Sequence, residues 1–188
     1  MLWANLSINK KLALGFTGSL AAMLLFSAVA WFSSENIMHL ADAALAKQKF
    51  ALTLTLREVD HLKWTERLHK IVLYGPNADM SAIQTDGRLC AFGKWLYSDE
   101  RKTLENLLPE TVQHLAELEK PHLALHASAI RIQELVRDGK QKEAEAYFQD
   151  VTERASAEVL ADLEVIRNLV LAASEQDAQK YLDVGHST

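Results

Sequence analysis

The chain has 188 residues, nearly half of them apolar, and a formal net charge of −5. That length suits one domain of ordinary size plus a short extra segment, and the mildly acidic balance argues against a nucleic-acid-binding protein, which should show a basic face. A single cysteine, Cys90, excludes an intrachain disulfide, and seven glycines and three prolines leave few chain breaks, so the expectation is an all-α protein of long helices.

The first predicted element is apolar throughout. No charged residue occurs from Leu12 to Ser34, and a bilayer-spanning helix needs roughly 20 such residues. Trp31 and Phe32 near its far end suit a membrane interface. A cleaved signal peptide, with Lys10 and Lys11 as its basic region, is the rival reading, but the run exceeds the roughly 7–15 apolar residues usual there. Residues 1–34 therefore read as a cytoplasmic stub and a transmembrane helix. Lys10 and Lys11 precede the span, and Glu35 and Asp42 are the first charges after it. The positive-inside rule then puts the rest of the chain outside the cytoplasm, in a bacterium the periplasm, with the anchor in the inner membrane. No second spanning run occurs after it, so the chain is expected to be single-pass as given.

Residues 35–180 are expected to fold as an antiparallel four-helix bundle, and 181–188 as a C-terminal tail. A first soluble helix is predicted from about Ser33 to Tyr74, despite the strand-like alternation of Phe50, Leu52, Leu54 and Leu56. Its inner face collects Leu54, His61, Trp64, Leu68 and Val72, and Gly75-Pro76-Asn77 ends it. Residues 78–98 read as a short irregular or singly helical connection. A third element runs from about Glu100 to Arg137, with Pro109 at a helix start and Pro121 kinking or restarting the helix. After Asp138-Gly139, a fourth helix covers about Gln141 to Tyr181. Its inner face draws on Ala144, Phe148, Val151, Ala155, Leu160, Leu163, Ile166 and Val170. Bundles of this type build metal sites between facing helices.

Of the seven histidines, His122 and His126 stand four apart, on one face of a helix and about 5–6 Å apart at Cβ. Two imidazoles so placed can share a metal ion, although the spacing also arises as plain surface polarity. Here the same face carries Leu115, Leu118, Leu125 and Ala129, so both rings point inward, where an unpaired imidazole is costly. His61 also lies on an apolar face, as a ligand or as a satisfied core histidine. Cys90 alone reads first as a small buried hydrophobe. Taken together, His61, Cys90, His122 and His126 make a zinc set: soft sulfur with imidazole nitrogen favours zinc over magnesium or calcium, and four protein ligands close its tetrahedral shell. His69 and His114 are flanking candidates, Asp60 and Glu119 candidate partners for a ring nitrogen. Trp64 and Trp95 are expected to pack around the site. No nucleotide loop, nucleophile elbow or Ser/His/Asp set appears, so no enzyme is expected.

His61-x-x-Trp64, Cys90-Ala91-Phe92-Gly93-Lys94-Trp95-Leu96 and His122-x-x-x-His126, in this order, resemble the motifs of the chemoreceptor zinc-binding domain over roughly residues 45–180. The resemblance implies that His61, Cys90, His122 and His126 bind zinc in a four-helix bundle. The opening, Asn5 to Phe16, is similar to that of methyl-accepting chemotaxis proteins. Both resemblances imply a membrane-anchored sensory domain, responding to zinc or to thiolate-directed oxidants. A second copy of the chain, in a homodimer, and chemotaxis signalling components are the implied partners. A structural zinc protein is the alternative, and a metalloenzyme the more remote one. Receptors of this layout continue into a second span, a HAMP linker and a signalling hairpin, which the sequence as given does not contain.

Overall fold

The computed structural model describes residues 7–186 and is 89% helical, with no strand among the described residues. Asn5 and Leu6 of the opening motif, the His186 side chain and the last two residues of the expected tail lie outside what is described. The helices are α1 (Ile8–Tyr74), α2 (Ala91–Leu96), α3 (Asp99–Leu107), α4 (Thr111–Arg137), α5 (Gln141–Tyr147) and α6 (Arg154–His186). A π-helical turn, Phe148–Glu153, joins α5 to α6, and short 3-10 turns lie at Gly75–Asn77 and Met80–Ala82.

The chain divides into two compact units, one formed by Met1–Asp42 with Asp177–Thr188, the other by Ala43–Gln176. In the first, the start of α1 exposes Leu12, Phe16, Leu20, Met23, Phe26 and Trp31 to the surroundings. Among the described residues one helix, this one, is long and apolar enough to cross a membrane, by length and composition.

In the second unit, α1 and α6 run antiparallel. Ser174 Oγ donates to the Ala44 carbonyl at 3.0 Å, Arg167 pairs with Glu58 at 2.8 Å, and Thr65 meets Ser156 at 2.9 Å. Positions rise along one helix as they fall along the other. α4 turns into α5 through Asp138–Lys140, where Gly139 takes φ +74°, a conformation that costs glycine nothing. Leu54, Leu68, Phe92, Leu118, Leu125 and Ile166 sit at the core, each almost wholly buried. α1 is helical straight through 50–56, with Leu54 inside and Leu52 and Leu56 outside; the strand-like alternation is overridden by its helical neighbours.

Three expectations need correction. The element expected from Glu100 to Arg137 is two helices, α3 and α4, broken over 108–110; Pro109 sits in that break and not at the start of α4. Pro121 does not restart the helix, since α4 runs unbroken past it; it forgoes one ladder bond. The element expected from Gln141 onward contains the π-helical turn, and its inner face differs there. Val151 is exposed, while Thr152 and Ser156 are buried. Hydroxyls point inward because they are satisfied: Ser128 and Thr152 meet at 2.9 Å and Ser156 meets Thr65.

Candidate metal centre

Three segments deliver the site. α1 carries His61 on the face that also buries Leu54, Trp64 and Leu68. α4 carries His122 and His126 one turn apart, on the face that also buries Leu118, Leu125 and Ala129. The connection between them carries Cys90. Their donor atoms all lie within 4.8 Å of one another, with Cys90 Sγ and His122 Nε2 3.3 Å apart. Zinc bonds of about 2.0–2.1 Å to nitrogen and 2.3 Å to sulfur require donors about 3.3–3.6 Å apart. The four side chains are therefore a group positioned to bind a metal. His61, His122 and His126 are at most 2% exposed and Cys90 is half-buried.

Main-chain carbonyls set two of the rings. His61 Nδ1 lies 2.7 Å from the Arg57 carbonyl oxygen, and His126 Nδ1 lies 2.8 Å from that of Gln84. A carbonyl only accepts, so each Nδ1 carries the proton and each Nε2 keeps its lone pair. Both Nε2 atoms are buried with no hydrogen-bond partner among the described residues. Buried and unpartnered, they are what a metal ligand looks like before its bond is drawn. In His122 it is Nδ1 that lacks a partner, leaving Nε2 toward Cys90.

Cys90 is held by its own loop. It caps α2: the Gly93 N–H donates to Sγ at 3.2 Å, and Sγ–H donates to the Gly87 carbonyl at 3.2 Å. Gly93 has no room for a side chain, since a Cβ there would lie 1.9 Å from the Gly87 carbonyl oxygen. At Gly87 a Cβ would press on Leu123, His126 and His122 at 3.1–3.3 Å. Upstream, the Gln84 side chain accepts from the Asp86 N–H, and Asp86 accepts from the Arg88 N–H, each a local turn that fixes the path to Cys90. Phe92 meets His122 edge-on at 4.9 Å and stacks on Trp95 at 5.8 Å, so the aromatics wall the site as expected.

Electrostatics favour the ligating forms of the histidines. Burial lowers His61 to about 4 and His122 to about 3, against an ordinary 6.5; His126 is lowered for the same reason. All three are neutral at physiological pH, as metal binding demands. Burial pushes the Cys90 thiol up, against the pull of the Gly93 and Phe92 N–H groups. A bound cation reverses that, because coordination deprotonates a thiol.

The remaining candidates stand apart. His69 stacks on Phe148 at 4.7 Å, His114 interacts electrostatically with Asp162, and His39 is exposed. Asp60 pairs with Arg57 at 2.7 Å, and Glu119 accepts from the Tyr97 hydroxyl at 2.5 Å; neither holds a ligand ring. The Arg57 and Gln84 carbonyls, which do, left no mark in the sequence, because every residue has one.

Fold and site together define a helical metal-binding domain. Residues 61–133 match the family model of the chemoreceptor zinc-binding domain. The match takes in all four candidate ligands and covers less than half of the chain. Zinc is the metal of that family, and the donor set fits it. No curated protein and no solved structure matches the chain.

Proposed function

We propose that this chain is a membrane-anchored sensory domain of a chemoreceptor-type signal transducer, with zinc bound by His61, Cys90, His122 and His126. The convergence of these donors from α1, α4 and the intervening connection carries the reading. A metal so placed ties the Cys90 loop to two long helices, so losing it, or oxidising its thiolate to a sulfenic acid, frees the loop. Four protein ligands leave no open position on zinc, which supports a sensory or structural role over a hydrolytic one.

The side of the membrane divides the supporting observations. Lys10 and Lys11 favour an outer placement, whereas domains of this family are normally cytoplasmic. We weight the second: two lysines are a slender bias, and a lone thiolate ligand suits a compartment that keeps thiols reduced. Reporter fusions at either end of the chain test this, and an exported C-terminal reporter overturns it.

Metal analysis of the full chain in detergent, wild type beside Cys90→Ala, tests the site. One zinc per wild-type chain and a depleted variant are expected; undiminished zinc in Cys90→Ala counts against the assignment. Hydrogen exchange before and after zinc removal separates a sensor from a structural site. Faster exchange around residues 84–96 supports sensing. Zinc that resists every chelator of graded affinity supports the structural alternative. A homodimer coupled to chemotaxis components is the assembly this reading carries, and crosslinking in membranes tests it.

A further inference from the structure

We propose that Trp64 is a positioning residue for the metal centre, acting on His126 through the main-chain carbonyl of Gln84. The proposal rests on the zinc reading above and adds a residue to it. Trp64 is 6% exposed and one turn beyond His61 on α1. Its Nε1–H donates to the Gln84 carbonyl at 2.9 Å, and His126 Nδ1–H donates to the same oxygen at 2.8 Å. A carbonyl oxygen has two lone pairs, and here the indole takes one and the imidazole the other. The two donor rings lie 4.8 Å apart at an angle of 59°, so the pair also packs.

The indole bond reaches across 20 positions of sequence and ties the connection to α1. The imidazole bond reaches across 42 and ties the same point to α4. Gln84 is thus fixed between two helices before any metal arrives. Once fixed, its carbonyl dictates where the His126 proton sits, and so which nitrogen faces Cys90 and His61. An indole at 64 supplies more than bulk: it aims the acceptor that selects the ligating nitrogen of a residue on another helix.

Trp95 supplies the control. It is equally buried, stacks on Phe92, and its Nε1 has no hydrogen-bond partner among the described residues. Trp64→Phe and Trp95→Phe remove similar volume, but only the first removes the bond. In the full chain in detergent, zinc affinity is read by competition with a chelator, and the His126 tautomer by side-chain nitrogen chemical shifts of the metal-free protein. Trp64→Phe is expected to weaken zinc binding about 10-fold, the usual scale for groups that orient a ligand, and to mix the Nε2–H tautomer into His126. Trp95→Phe is expected to leave the tautomer as in wild type. Equal affinity losses in the two variants with an unmoved tautomer overturn the proposal. So does a wild-type His126 in the Nε2–H form, which needs no variant to be measured. If wild type holds no zinc, the functional reading fails while the tautomer measurement still decides this one.

Discussion

Trp64 and His126, on different helices, donate to one oxygen, the main-chain carbonyl of Gln84. The loop leading to Cys90 is therefore anchored by hydrogen bonds that need no metal. Zinc would add the last connections, to Cys90 and among the three imidazoles. The centre is prepared by the fold and closed by the ion.

Zinc should raise stability by mass action. At a free concentration 100 times its dissociation constant the gain is about 2.7 kcal/mol, less any binding to the unfolded chain. Thermal melts of the full chain with zinc and with a strong chelator check this. Coincident melts would remove the metal from the account.

Gly93→Ala should disrupt the loop that presents Cys90. The added Cβ would lie 1.9 Å from the Gly87 carbonyl oxygen, a main-chain atom that cannot rotate away. Overpacking of this kind costs about 1–3 kcal/mol or more, and zinc content should fall with it. Metal analysis and a denaturant melt of the variant check both. A variant with wild-type zinc and wild-type stability would contradict the described backbone.

Acid should weaken the metal-free fold through these histidines. His61 titrates at about 4 and His122 at about 3 when folded, against 6.5 when exposed. Below 6.5 the unfolded chain binds protons that the folded one refuses, so stability falls as pH drops. The contribution is whole above 6.5, shrinks toward 4 and then 3, and is flat beyond. Denaturant melts of chelated protein between about pH 7.5 and 4, compared with His122→Gln, isolate it; the variant's slope should be shallower.

Thr152→Val should cost about 1 kcal/mol, the net worth of one intramolecular hydrogen bond. Ser128 keeps its bond to the Leu125 carbonyl at 2.7 Å, so no polar group is stranded. Zinc content should stay at the wild-type level, because Thr152 touches none of the four donors. Loss of zinc in this variant would mean that the π-helical turn supports the centre.

The site was more legible than the fold around it. His122 and His126 announce themselves by helical spacing on an apolar face, and His61 by its place beside Trp64. Cys90 needed the resemblance, since a lone cysteine carries no period. The inward hydroxyls of Thr152 and Ser156 were missed because polarity points outward unless a partner across the interface answers it, and the partners, Ser128 and Thr65, lie 24 and 91 positions away. Pro121 does not restart α4, because its local cost is outweighed by the packing of the helix on both sides of it. The Gln84 and Arg57 acceptors could not be read at all, since backbone geometry is not written in side chains.

Main-chain acceptors also bear on how the centre can change over time. An imidazole held by an aspartate is lost when the aspartate is replaced. The acceptor for His61 is the backbone of residue 57, and that oxygen is present whatever side chain position 57 bears. The orientation of the ligand is thereby insulated from substitution at its own partner: the Arg57 side chain answers to Asp60, and the geometry beneath it does not depend on that pair.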